Sequence, residues 1–400
     1  MKRSWILLFS ITLGTLIVAI NMIHNVSNST NNKDRIVVNG IENFNLTNSS
    51  SEDRYLLFYP ADIRTSQEYT LVKEVSTEGK VLKEYEIRDA TFRRMNVFQK
   101  PNEINKLYIS FFGEAVIDNW YYTYDIIKHR FKKVDLSYFS HDVGVDHIWH
   151  FGTDVLFQTI VSHKTGDQNI NDKGQFNMSI SNQSTKISYE TEYGYPPNWT
   201  PLLKLDKKII YSGNGQVNDH GVPENAFIGI IDTDINSVEY INFNKQSNEF
   251  YPAYTTDRQA YIIGDNGKVY VLKKDLQYRT YEPFKDLPPQ DYYYFIDGGG
   301  TLLLNDHDAL HFVYNEITGP TLGILSFKEE PTFSVLDKTY IKEDHLYRIL
   351  YQDTTNGEIY IIESDYDGSG NLLAIDNKSF ELIHTIPVEY NHLLDFVIKK

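Results

Sequence analysis

The sequence predicts an all-β fold, and three observations carry that prediction. Beyond Tyr55 no run with a 3.6-residue apolar period exceeds two turns, so no helix has an apolar face to bury. Short alternating runs rich in Tyr, Phe, Ile and Val recur between clusters of Asp, Asn and Gly, the composition of strands and their turns. These runs also repeat in order: an apolar strand, a polar loop, then a hairpin. Residues 55–388 divided by seven give roughly 48 residues per unit, within the range of a four-stranded propeller blade. One blade cannot bury both faces of its sheet, whereas a ring of blades does so and protects its edges. The expected architecture is a β-propeller of seven four-stranded blades over residues 55–400, preceded by one N-terminal transmembrane helix. The uneven period leaves six or eight blades open, and the regular hairpin spacing disfavours a pair of β-sandwiches.

Lys2 and Arg3 precede an uncharged run, Trp5–Ile23. Its 19 residues rise about 28 Å as a helix, close to the hydrocarbon thickness of a bilayer. The two cations place residues 1–4 in the cytoplasm and the rest of the chain outside, as a single-pass protein. The competing reading is a signal peptide cleaved after Ala19 or Ser29 and a secreted product. It is disfavoured by the length of the run and the poor small-x-small pattern. Residues 24–54, rich in Asn, Ser and Thr, read as a flexible tether with one strand over Arg35–Leu46.

Four segments show the outer hairpin most clearly: Trp120–Ser137, Ala226–Phe243, Lys268–Phe284 and Asn371–Val388. Glu68–Ile87 and Gln175–Tyr193 are weaker copies, and Ala309–Phe327 is an irregular seventh. Strands such as LYISFF at Leu107, KIIYSG at Lys208, TLLLN at Thr301 and EIYIIES at Glu358 precede them. The last strand, His392–Lys400, has no blade of its own. It is expected to pair beside the Arg35–Leu46 strand, uniting both chain ends in one sheet.

The segments IIDTDINSVEYINF and LLAIDNKSFELIHTIPV resemble outer hairpins of bacterial surface β-propellers of the YVTN/PQQ-like repeat type. There an apolar strand ends in Asp, turns through polar residues and returns with aliphatic ones. The resemblance implies architecture and no reaction. The four tryptophans are irregularly spaced, unlike the blade signatures of the quinone enzymes in that group.

Composition narrows the chemistry. With no cysteine among 400 residues, disulfide scaffolds, thiol catalysis and Cys-ligated metals are excluded. The balance of 38 Lys+Arg against 54 Asp+Glu, a net −16, argues against a nucleic-acid partner. There is no Gly-x-Ser-x-Gly, His-Glu-x-x-His or phosphate-binding glycine loop.

Candidate site residues come from loops assigned to the turn between second and third strands, expected to ring one mouth. His163, His220, Asp306, His307 and Asp308 form the expected ligand-binding set, in loops whose Asp, Asn and Gly also suit plain turns. Asp365–Asp376, DYDGSGNLLAID, fits a calcium-loop template with Asp365, Asp367, Ser369, Asn371 and Asp376 as ligands. Strand-like flanks and Asp in the twelfth position weaken it, so Ca²⁺ is the one cofactor left open and no other is expected. HDVGVDHIWH, His141–His150, reads as scattered surface histidines, because His147 and His150 would lie on opposite faces of a strand.

The leading functional reading is a binding, assembly or sensory module in a bacterial envelope, with an envelope protein or cell-wall glycan as partner. The alternative is a surface glycan hydrolase or lyase using mouth carboxylates, with Trp149, Trp199 and Tyr292–Tyr294 as sugar platforms.

Overall fold

The structure is a computed structural model. It describes residues 35–44, 52–61, 68–89, 94–100, 103, 105–112, 119–140, 143–151, 154–160, 178–191, 200–213, 226–243, 247, 249–288, 300–315, 318–365, 369–389 and 394–400. Trp5–Ile23 lies outside them; among the described residues no helix is long and apolar enough to cross a membrane.

The fold is an all-β propeller of seven blades. The first blade contains β1 (Ile36–Asn39), β2 (Arg54–Tyr59), β3 (Thr70–Ser76) and β4 (Val81–Arg88). The second has β5 (Arg94–Gln99), β6 (Lys106–Phe112), β7 (Trp120–Asp125) and β8 (Arg130–Asp135). The third has β9 (His147–Phe151), β10 (Asp154–Ile160), β11 (Met178–Asn182) and β12 (Ile187–Thr191). The fourth has β13 (Leu203–Leu205), β14 (Lys208–Gly213), β15 (Phe227–Asp232) and β16 (Ser237–Ile241). The fifth has β17 (Phe250–Thr255), β18 (Gln259–Gly264), β19 (Val269–Lys273) and β20 (Tyr278–Tyr281). The sixth has β21 (Thr301–Leu303), β22 (Asp308–Asn315), β23 (Gly319–Ser326) and β24 (Thr332–Val335). The seventh has β25 (Leu346–Asp353), β26 (Glu358–Ser364), β27 (Gly370–Asp376) and β28 (Leu382–Val388), and β29 (Phe396–Lys399) returns to the first blade.

Closure differs from the sequence expectation in one respect. Both chain ends do share one sheet, in the order β1-β4-β3-β2-β29. They occupy its opposite edges. β29 pairs antiparallel with β2, Leu57 opposite Val397, while β1 adds parallel to β4, Ile36 opposite Tyr85. The reason is that the chain enters this blade at its second position, leaving the inner edge of β2 for the C-terminus to fill. The expected strand over Arg35–Leu46 shortens to β1, because Gly40 turns the chain at φ 80° into a single 3₁₀ turn, Ile41–Asn43.

A second correction concerns the sixth blade. Ala309–Phe327 spans its second and third strands, and its outer hairpin is β23–β24. The Thr301 strand is thus the first of its blade.

The Asp ending many third strands has a physical role. Asp125, Asp232 and Asp376 each accept backbone N–H groups two or three residues on, and Asn182 does the same in the third blade. The turn then closes through a left-handed residue: His129, Lys186, Asn236 and Phe380 have φ of 49°, 57°, 51° and 56°. A side-chain oxygen that replaces the missing ladder partners fixes turn length and register.

Apolar clusters fill the spaces between blades. Tyr108 and Tyr121 meet Ile148 and Phe157 between blades two and three, and Phe312 meets Tyr347 between six and seven. Around the closing blade one cluster is continuous across blades seven, one and two. Phe396 contacts Phe58, Tyr124 and Tyr351 there, at centroid distances of 5.2, 5.5 and 5.7 Å.

Candidate functional site

Because each blade is antiparallel, its loops alternate between two faces. The connections between second and third strands, and between blades, lie on the face where the inner strands start. The turns between first and second, and third and fourth, strands lie on the opposite face.

Of the expected ligand-binding residues, Asp306, His307 and Asp308 are described, and they lie on the face opposite the one expected. His163 and His220 lie outside the described residues. Asp306 and His307 fall between β21 and β22 and Asp308 opens β22, a first-to-second turn on the opposite face from the second-to-third turn between β18 and β19, Gly264–Gly267. Thr301 lies in the first strand of its blade and not the second, so the turn that follows it sits on the opposite face from the one expected. In that turn Asn305 Oδ1 accepts the N–H groups of His307 (2.8 Å) and Asp308 (2.9 Å). Burial opposes ionisation of Asp308, but the neighbouring Ser326 hydroxyl and a hydrogen bond from the Asn305 amide hold its carboxyl below the usual range.

The calcium template does not close on one point. Asp365 and Ser369 sit together, with Ser369 Oγ donating to Asp365 Oδ2 at 2.6 Å, and Asp367 lies outside the described residues. Asn371 donates its amide to Glu363. Asp376 ends β27, about 20 Å from its start at roughly 3.4 Å per residue, on the opposite face. There it caps the β27–β28 turn through Lys378 N, Ser379 N and Ser379 Oγ at 3.0, 2.7 and 2.9 Å. Asp376→Ala is expected to lower the melting temperature equally with and without millimolar Ca²⁺. A destabilisation seen only with Ca²⁺ present would return Asp376 to the ligand set.

His147 is not at the surface. It begins β9 at 4% exposure, with its ring beside Phe98 and parallel to Trp149. Burial pushes its pKa down to about 3, and burial likewise brings His311 to about 4. Both are neutral in the folded state and take up protons on unfolding below about pH 6.5, so acid removes stability as pH falls from 6.5 toward those values. Each contributes a slope of up to about 1.4 kcal/mol per pH unit in that window. His147→Phe should flatten the acid limb of the stability profile by that amount, measured by urea unfolding between pH 4 and 7; an unchanged limb would contradict its neutral burial. Trp149, a proposed sugar platform, instead donates from Nε1 to Gln158 Oε1 at 2.9 Å, while Trp199 and Tyr292–Tyr294 lie outside the described residues.

What the structure does gather is a set that sequence reasoning missed. Arg94 starts β5, Asp395 precedes β29 and Arg348 lies early in β25, so three inner strands of adjoining blades bring charges together on the strand-start face. Arg94 forks onto Asp395 with Nε–Oδ2 at 2.8 Å and Nη2–Oδ1 at 2.5 Å, and Met95 N adds a third donor to Oδ2 at 2.9 Å. Arg348 Nη1 stands 3.6 Å from the same Oδ1, and its Nη2 donates to Leu394 O. The Asp395 side chain is fully buried, whereas the two guanidinium side chains keep 28% and 29% of their surface. Burial lowers the pKa of Arg348; Asp395 counters this and Arg94 adds to it. At the other end of the same strands Gln99 Nε2 donates to Gln352 O (2.6 Å) and Gln352 N to Gln99 Oε1 (2.9 Å), tying blades two and seven directly.

The same face carries a carboxyl pair. Burial, and then the neighbouring Asp265, raise the pKa of Glu249, while Ser247 Oγ donates to Asp265. The available signal for these sites was a charge inside otherwise apolar strands, as in LYRILYQD and LLDFVIKK.

No protein-family model matches the chain, and none of the curated proteins does. Among solved structures it is similar to an acylaminoacyl peptidase of Pyrococcus horikoshii, at 11% identity over 86% of this chain and 52% of that one, with a TM-score of 0.48. It is also similar to the β-propeller domain of the Trilobed protease from Pyrococcus furiosus, at 11% identity, 82% and 90% coverage and a TM-score of 0.40. TolB from Acinetobacter baumannii matches at 10% identity over 86% and 81%, again with a TM-score of 0.40. The propeller assignment rests on the seven sheets of this chain, and the resemblance to the YVTN/PQQ-like type extends no further than shared architecture.

Proposed function

We propose that this chain is a binding module of a bacterial envelope, tethered outside the membrane by Trp5–Ile23 and engaging an envelope protein at its strand-start mouth. One observation supports this above the others: the charged cluster there is built to hold, not to transfer protons. Asp395 is buried with both oxygens accepting hydrogen bonds, and guanidinium groups do not deprotonate at physiological pH. Fixed donors on a rigid ring suit recognition of a group that arrives already charged.

The glycan hydrolase or lyase reading keeps one supporting observation, the raised carboxyl of Glu249 near Asp265 on the same face. Asp306 and Asp308 lie on the other face.

The test is photo-crosslinking in intact cells from the full-length chain, with the crosslinker at Ser369 on the strand-start face or at Glu78 on the opposite one. A discrete protein adduct from Ser369 and none from Glu78 is the expected result. Adducts from Glu78 alone would refute the assignment of the face, and glycan adducts from Ser369 would favour the enzyme reading.

A further inference from the structure

We propose that Arg348, with Arg94 beside it, is a receptor for a carboxylate group presented at the strand-start mouth. This rests on the binding reading above and names the chemistry that the mouth recognises.

The donors around Asp395 are unevenly shared between the two arginines. Arg94 takes both carboxylate oxygens in a fork at 2.8 and 2.5 Å, and Met95 N occupies Oδ2 as well. Arg348 reaches the same carboxylate only at 3.6 Å, beyond hydrogen-bonding distance, and spends Nη2 on the Leu394 carbonyl. It is therefore a guanidinium that shares its nearest described carboxylate with a second guanidinium, so the cluster of two cations and one anion keeps a positive charge in excess. A cation removed from most of its water and given a carbonyl and a distant shared acid gains more from a further anion than a surface arginine does. With 29% of its side chain still reachable from solvent, Arg348 can accept one.

Geometry and charge select the anion. A planar guanidinium edge matches a planar carboxylate in a two-point contact. The Leu394 carbonyl and Asp395 hold Arg348 in place, so little side-chain freedom is lost on binding. The chain carries a net charge of −16, a field that repels a dianion more strongly than a monoanion. A carboxylate is therefore favoured over phosphate.

The experiment is calorimetric titration of the full-length protein in nanodiscs with three probes: diglutamate, glucuronate and inorganic phosphate. Diglutamate stands for a protein carboxylate and glucuronate for a glycan one. Millimolar binding of either carboxylate, stronger than phosphate and weakened about tenfold in Arg348→Gln, is expected from loss of a charge-assisted contact. Arg348→Lys, which keeps the charge and loses the fork, should bind with intermediate affinity, and near-ultraviolet circular dichroism checks that each variant is folded. Preference for diglutamate over glucuronate would assign the carboxylate to a protein, and the reverse to a glycan. Equal binding by wild type and Arg348→Gln, preference for phosphate, or no binding at tens of millimolar would overturn the inference. If Ser369 crosslinking persists unchanged in Arg348→Gln, the binding module stands and the carboxylate receptor falls.

Discussion

Deleting residues 394–400 is expected to abolish the folded state. The deletion removes Leu394, Phe396, Val397 and Ile398, whose exposures are 0, 0, 0 and 2%. At about 1.5–3 kcal/mol for each buried side chain, roughly 6–12 kcal/mol is lost before any strand hydrogen bond is counted. That is comparable to the whole stability of a typical domain, about 5–15 kcal/mol. It also uncovers the inner edge of β2 and the rings of Phe58, Tyr124 and Tyr351, an aggregation-prone surface. The truncated protein should show no cooperative unfolding transition by circular dichroism and should collect in the insoluble fraction. A truncated protein that melts cooperatively within a few degrees of the full chain would mean that β29 is dispensable.

The second large effect is expected at Asp395. Asp395→Ala leaves Arg94 and Arg348 facing each other without the carboxylate that holds both, and strips a partner from Met95 N. Removing one partner of a buried pair costs about 3–5 kcal/mol. The lower end applies here, because both guanidinium groups keep some contact with water and their repulsion is partly screened. Stability of Asp395→Ala should rise with added chloride or acetate more steeply than that of the wild type, since an anion can enter the vacated position. Urea titrations at low and high salt measure this. A loss below about 1 kcal/mol at low salt would show that the cluster is loosely solvated and not a clasp.

Much of the architecture was legible because it is local. A third strand ending in Asp or Asn, a polar turn and a returning aliphatic strand occupy fewer than twenty residues, and the turn chemistry of Asp125, Asp232 and Asp376 is visible as spacing. The sixth blade lacks that signal: Ser326 stands where blades two, three, four and seven carry Asp125, Asn182, Asp232 and Asp376, so its second and third strands read as an outer hairpin. One strand of slip moved Asp306–Asp308 to the wrong face, as alternation requires.

The candidate site was illegible for a different reason. Arg94 and Asp395 are 301 residues apart, and only closure of the ring makes them neighbours. Asp376 shows the converse. The calcium-loop spacing Asp365–Asp376 matches a template in sequence, but extended strand geometry carries its last ligand away from the first.

The position of the last strand decides whether the cluster exists, because β29 places Asp395 between Arg94 and Arg348. The chain has no cysteine, so a pair introduced by substitution contains its only thiols. Leu57 and Val397 are directly opposed in the β2–β29 ladder, whereas Val37 lies at the far edge of the same sheet. Mild oxidation of Leu57→Cys/Val397→Cys is predicted to give an intramolecular disulfide, read as faster migration on a non-reducing gel. Val37→Cys/Val397→Cys should give none. A disulfide in the second pair and not the first would place the C-terminal strand at the outer rim, dissolve the arginine cluster and contradict the proposed mouth.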